Sequence, residues 1–256
     1  MNEHKDDLNP KGHFIAYLDI LGYESKIVQD DETLYNTICK FIRLFNNILE
    51  GVYTPYLGKN DIIKMKAFSD NFISCTETDG LALLNIIANL QFALSCQDTF
   101  VRGSMCYGNM IFNEDFVYGK GVIEAYKIES EIAIYPRIII DNSFITGVAK
   151  LGTPEQFKPT TFNNTCSYLR DFTCIDFDNC RFVDYLGVAH GITTTGKEES
   201  KEDRIKYFLD SLSAHKTHIQ NNIKTKDRRI EQKYQWCKNY HNRFCEKYEY
   251  ENFIIN

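Results

Sequence analysis

The chain is poor in three things, and each absence narrows what it can be. No run of residues approaches membrane-spanning length, and the opening Met1-Asn-Glu-His-Lys-Asp-Asp-Leu8 has no apolar signal core. A cytoplasmic protein without membrane attachment is expected. There is no surplus of positive charge: 29 Lys and Arg stand against 35 Asp and Glu, a formal charge of −6. That balance excludes a general nucleic-acid binder, which would carry a basic field, so no direct nucleic-acid contact is expected. Nor is there an ordered cysteine framework. The nine cysteines are odd in number, lack a paired metal spacing, and fall largely within apolar patterns, as reduced thiols in a reducing compartment do. Cys166, Cys174 and Cys180 form the one local cluster, poorly spaced for zinc.

What is present is an ordinary globular composition, 43% hydrophobic and 25% charged, over 256 residues. That length allows one good core plus an appendage. Two segments concentrate the chemistry. Phe14-Ile-Ala-Tyr-Leu-Asp19 is a nearly unbroken apolar run that reads as a buried strand, and Gly22 permits a tight turn just after it. Ile62 to Phe68 reads as a second strand, with Asp70 in the turn before Asn71-Phe-Ile-Ser-Cys75 resumes. Each strand therefore delivers one carboxylate at its end. Two such carboxylates brought together can hold divalent cations for phosphoryl or nucleotidyl transfer.

Leu34, Ile38, Phe41, Ile42, Phe45 and Ile48 recur at helical spacing across Thr33 to Leu49, and Pro55, Gly58 and Asn60 mark a connection. A hairpin around Asp70, a helix over Leu81 to Cys96 and a strand near 100–107 follow. A short strand at 116–118, a helix over Lys120 to Glu131 and a strand at Pro136 to Ile140 complete the series. The order β-α-β-β-α-β predicts an α+β fold with a ferredoxin-like palm. Residues 1–145 would form the core. Residues 146–256 would be an irregular segment to about 196, then C-terminal helices over 197–248 packing on the core or on a partner subunit. Phe182 to Leu186 is expected to pack back on the palm. Lys224 to Arg229 reads as a solvated basic face. Trp236, Tyr240, Phe244 and Tyr248 make an aromatic stripe for packing; His215 and His218, three apart, could share a helix face as a metal pair but read more simply as surface histidines.

Four segments in order resemble the class III nucleotidyl cyclases, the adenylate and guanylate cyclase catalytic domain. They are Phe14 to Tyr23, Lys66-Ala-Phe-Ser-Asp70, Val101-Arg-Gly to Gly108, and Phe116-Val-Tyr-Gly119 running into its helix. The resemblance spans about residues 12–145. It implies that Asp19 and Asp70 hold two divalent cations, Mn²⁺ or Mg²⁺, with the Ile20 carbonyl as a further ligand. It also implies that backbone amides from Leu21 through Gly22 to Tyr23 contact a triphosphate. Lys66, four residues before Asp70, would contact the base. Aligning the family's fourth motif on Gly119 puts Phe116 at the base-selecting position, Ile123 at the ribose-orienting one, and Lys127 at that of the transition-state arginine. A shift by one residue would bring Glu124 near the ribose position instead, and an exposed helix lysine would look the same as a catalytic Lys127.

Phe116 cannot pair with an adenine edge, and it adds bulk that suits a smaller base. Lys66 can donate to a uracil carbonyl. With Ala125-Tyr-Lys-Ile-Glu129 and Tyr135-Pro-Arg-Ile138, these features resemble the bacterial pyrimidine cyclases of Pycsar antiphage defence. That resemblance implies a nucleoside triphosphate substrate, UTP ahead of CTP, and a separate effector that senses the cyclic product. It implies a homodimer with composite sites, since one chain holds a single set of family residues. The alternatives are a purine cyclase or a nucleotide-binding sensor without turnover. Arg102, Glu129 and Arg137 could belong to the site or pair structurally.

Overall fold

A computed structural model describes residues 9–22, 31–50, 63–151, 169–194 and 200–256. Tyr23, the Pro55 to Asn60 connection and Cys166 lie outside the described residues.

The apolar run expected as a strand is β1, Lys11–Ile20. Phe14, Ile15, Ala16, Leu18 and Ile20 are all buried, which marks a strand covered on both faces. Helix α1 (Asp31–Ile48) follows, then β2 (Lys64–Phe68), β3 (Asn71–Thr76), α2 (Gly80–Ser95) and β4 (Val101–Phe112). The strands lie in the order β2-β3-β1-β4, with every adjacent pair antiparallel. This is the ferredoxin-like arrangement, so the fold is α+β. Phe41 of α1 stacks on Phe72 of β3 at 3.6 Å, and Phe14 packs against Tyr107 at 4.9 Å. Burying each such ring removes about 1.5–3 kcal/mol of apolar hydration cost. Helix α2 starts where Asp79 Oδ1 accepts the Ala82 N–H at 2.9 Å, and it is buried over most of its surface.

Beyond β4 come β5 (Val117–Tyr118), α3 (Lys120–Glu131), β6 (Ile138–Ile140) and α4 (Asn142–Leu151). Gly119 begins α3 at φ 144, and a Cβ there would sit 2.5 Å from the Asn109 carbonyl oxygen, so only glycine fits. Strand β6 runs parallel to β4.

The stretch expected to be irregular contains regular structure where it is described. Strands β7 (Thr173–Ile175) and β8 (Arg181–Val183) extend the same sheet through β6, followed by α5 (Tyr185–Thr194). Short strands of three residues leave too little alternation to be read from sequence. The C-terminal helical region is two helices, α6 (Lys201–Asn222) and α7 (Arg228–Lys247). The aromatic stripe packs inward: Trp236, Tyr240 and Phe244 are buried, and Phe182 of β8 lies 5.4 Å from Trp236. Among the described residues, no helix is long and apolar enough to cross a membrane.

Candidate active site

Asp19 is the penultimate residue of β1, where antiparallel pairing sets it opposite Asn71 on one side and Arg102 on the other. Asp70 occupies the two-residue turn between the paired Phe68 and Asn71. The Ile20 N–H donates to the Asp70 carbonyl at 3.2 Å, which ties that turn to the end of β1. Ser69 holds φ 58 immediately before Asp70, a left-handed conformation that costs a non-glycine residue on the order of 1 kcal/mol. Asn71 Nδ2 donates to Asp70 Oδ1 at 3.1 Å and orients the carboxylate. Gly22 turns with φ 75 beside them.

Arg102 joins the carboxylates. Its Nε donates to Asp19 Oδ2 at 2.7 Å, and its Nη2 lies 2.9 Å from Glu129 Oε1 on α3. Glu129 is almost completely buried. Burial raises the Asp19 carboxyl pKa above the usual carboxylate value; Arg102 opposes that rise and the Asp70 charge adds to it. Glu129 is raised for the same reasons, first by burial, against Arg102, then by Asp19 and Asp70. Two carboxylates thus share one guanidinium with a third, Asp70, nearby, an arrangement in which further positive charge is favourable. Arg102 and Glu129, ambiguous in sequence, belong to this cluster.

Asp19 and Asp70 line a cleft of about 520 Å³ whose opposite wall is the start of α7. Arg229, Ile230 and Lys233 face it, together with Tyr135. The basic segment read as a solvated face therefore reaches the cleft at Arg229. Lys233, three residues before the buried Trp236, was not singled out at all. Burial lowers the Lys233 pKa, and the nearby Arg102 charge lowers it further while Asp19 opposes.

Not every expected site residue is here. The Leu21 N–H donates to the Phe100 carbonyl at 2.9 Å, so this amide anchors the turn to β4 instead of facing a triphosphate. Lys66 and Phe116 sit together elsewhere. Lys66 Nζ donates to the Glu114 carbonyl at 2.6 Å and rests 5.5 Å from the Phe112 ring. Phe116 follows in the same β4–β5 hairpin, its N–H donating to Asn113 Oδ1 at 2.9 Å, with its ring partly exposed. Lys127 is exposed on α3 and does not line the cleft. Lys66 and Phe116 likewise do not line the cleft that holds Asp19 and Asp70.

Arg137 is structural. Its guanidinium is buried and paired with Asp176 and Asp178 of the β7–β8 turn, and Asp176 also accepts the Trp236 indole N–H at 2.6 Å. The histidine expectation is corrected too. His215 is fully buried and bonded to Tyr185 and His241, because α6 turns this face onto α5 and α7. His218 instead lies 3.7 Å from Asp98.

The hard oxygen donors Asp19 and Asp70, half-sheltered at one sheet end and short of positive charge, fit a divalent cation such as Mg²⁺ or Mn²⁺. Among the described residues they form no group of three or more ligating side chains, so further ligands would be backbone carbonyl, water or substrate oxygens.

No protein-family model matches the chain, and no curated protein matches it either. Among solved structures it is similar to the monomeric guanylyl cyclase domain of a RhoGC fusion protein from the aquatic fungus Blastocladiella emersonii. That match has 13% identity and a TM-score of 0.47, covering 69% of this chain and 96% of that one. A second is the catalytic core of a rhodopsin-guanylyl cyclase with converted specificity in complex with ATPalphaS, at 13% identity and a TM-score of 0.45. It covers 55% of this chain and 82% of that one. Agreement this low carries no weight for activity, so function is read from the chain's own residues.

Proposed function

We propose that this protein is a nucleotidyl cyclase, converting UTP, and less readily CTP, to the 3′,5′-cyclic monophosphate and pyrophosphate. The observation that carries the reading is the meeting of Asp19 and Asp70 at one end of a ferredoxin-like sheet, facing a cleft whose other wall carries Arg229 and Lys233. Asp19, Asp70 and the Ile20 carbonyl would hold two divalent cations, Mn²⁺ or Mg²⁺, which supply charge to lower the ribose hydroxyl pKa and neutralise phosphate oxygens. The chain's own residues do the rest. Arg102, fixed by Asp19 and Glu129, keeps the carboxylates apart from one another and correctly aimed. The cleft walls hold the folded nucleotide for in-line attack, which accounts for much of such a rate gain.

The base is read away from that cleft. Lys66 already reaches the hairpin that carries Phe116, so an ammonium donor and an aromatic side chain belong to one small surface. An ammonium donates to uracil O4, whereas the cytosine amine offers it nothing at that edge. Since Lys66 and Phe116 do not line the cleft of their own chain, the working unit is a homodimer in which each site takes its carboxylates from one subunit and these two residues from the other. Phe116, Tyr118, Ile123 and Tyr126 leave large apolar surface exposed on the hairpin and α3, as such a contact requires. Lys127 on the same helix would then reach phosphate across the interface. By its resemblance to the antiphage pyrimidine cyclases, the product would be a second messenger read by a separate effector.

Initial rates with UTP, CTP, ATP and GTP at equal concentration, with Mn²⁺, test the reading. Cyclic UMP is expected fastest. Faster cyclic AMP formation than either pyrimidine product would move the protein to the purine cyclases, and nucleotide binding without any cyclic product would make it a sensor.

A further inference from the structure

Helix α7 approaches the carboxylate cleft from a part of the chain more remote in sequence than any other lining element. Its position there is defined. Trp236 donates its indole N–H to Asp176 at 2.6 Å, Asp176 is paired with the buried Arg137, and Tyr135 stacks on the Trp236 ring. Lys233 lies one turn before this anchor and is half-buried at the cleft. Among the described residues its ammonium has no carboxylate within ion-pair distance. Arg102 is committed to Asp19 and Glu129, and Arg229 is held only loosely, 3.8 Å from Asp227 and largely exposed. The helix end itself is not the attraction. Asp227 Oδ1 already accepts the Arg229 and Ile230 N–H groups at 2.8 and 3.4 Å. The cleft therefore has hard-oxygen ligands on one wall, and on the other Lys233 without an ion-pair partner beside Arg229, which is weakly paired with Asp227 on that same wall.

Building on the cyclase reading, we infer that Lys233, assisted by Arg229, binds the polyphosphate of the substrate within the same chain, making α7 part of the active site. The turn after β1 has one amide fewer to offer, because the Leu21 N–H is spent on Phe100. A cation on a clamped helix supplies what that turn does not. An ammonium is a point charge that suits phosphate oxygens without demanding one geometry.

The experiment titrates inorganic tripolyphosphate with Mg²⁺ into the full chain and into Lys233→Met, Lys233→Arg and Arg229→Gln by calorimetry. A companion KM and kcat series uses each nucleoside triphosphate. Lys233→Met is expected to weaken tripolyphosphate binding about tenfold or more, the loss of one charge-assisted contact. Its KM should rise by a similar factor for every base, with base preference unchanged and kcat less affected. Lys233→Arg should restore most of the binding, and Arg229→Gln should lose only about threefold, as fits an exposed cation. Equal tripolyphosphate affinity in wild type and a folded Lys233→Met, or none in wild type, overturns the inference. Should Lys233→Met not fold, Lys233→Gln carries the same comparison. Lys233-dependent tripolyphosphate binding in a protein that forms no cyclic product would leave this site standing and remove the cyclase reading.

Discussion

Two regions of this molecule gather polar groups out of water, and they do so in opposite ways. At the sheet end, Asp19 and Glu129 share one guanidinium with Asp70 close by, and burial with mutual repulsion raises the Asp19 and Glu129 pKa values. Among α5, α6 and α7, by contrast, the buried polar groups form a closed chain. The Phe253 carbonyl can only accept, so His241 Nε2 donates to it at 2.9 Å and His241 Nδ1 must accept from His215 Nδ1, also at 2.9 Å. His215 Nε2 then accepts the Tyr185 hydroxyl at 2.9 Å. Every position is filled with both imidazoles neutral. Tyr240 likewise donates to Asp184 at 2.7 Å while accepting the Leu186 N–H at 3.0 Å. The first region is left with charge that invites a ligand, whereas the second is satisfied within the chain. Crowding marks chemistry here, and completeness marks structure.

The comparison breaks first at the carboxylates. Asp19→Ala and Asp70→Ala should each lower turnover by about 100-fold or more while the fold survives, since reacting-centre groups lose that much. Relieving the crowding should leave the melting temperature equal to wild type or higher. Activity within about threefold of wild type in either variant would remove the metal role assigned to them.

A second test asks whether the cleft is incomplete in one chain, as the helical region is not. Asp70→Ala and Lys66→Ala should each be inactive alone, because each spoils both sites of a homodimer. Mixed equally with free exchange, half the dimers would be mixed pairs with one intact site, returning about a quarter of wild-type activity under two-site symmetry. No recovery after demonstrated subunit exchange would mean that the Lys66–Phe116 hairpin does not serve a partner's carboxylates.

How much of this was legible in the sequence follows from the range of the interactions. Strand β1, the hairpin around Asp70 and the helical spacing of Phe41 and Phe45 are local patterns, and they place Asp19 and Asp70 correctly at strand ends. The pairing of Arg102 with Asp19 depends on the β1–β4 register, which no local pattern discloses, so Arg102 was ambiguous. Lys233 depends on where α7 docks. Periodicity says which residues share a helix face but not which wall that face meets, so an unremarkable lysine between Gln232 and Tyr234 gave no signal. His215 failed for the same reason: its spacing to His218 suggested a shared face, while the burial of one and not the other is a matter of tertiary packing. The use of the Leu21 amide by Phe100 is likewise invisible until two loops are brought together.

The satisfied region is tested through stability rather than turnover. Burial holds the His241 pKa down from 6.5 to about 4, and that of the fully buried His215 well below its usual value. The folded state thus takes up protons less readily than the unfolded chain. Stability from these imidazoles is complete above the unfolded value of 6.5 and is lost as pH falls from there toward the folded value of about 4. By about pH 5 the loss from His241 should be about 2 kcal/mol, from about 1.36 kcal/mol per pH unit between 6.5 and that pH, and His215 acts in the same direction. Asp19 and Glu129 work the other way, since carboxyls raised in the fold bind protons more readily there. The difference between wild type and His241→Gln therefore isolates the histidines from these carboxyls. Urea unfolding near pH 7, 6 and 5 should show falling stability in wild type and a flatter dependence in His241→Gln. The same pH dependence in both proteins would mean that the two imidazoles are not held neutral, and the contrast between crowded cleft and closed network would fail on its quieter side.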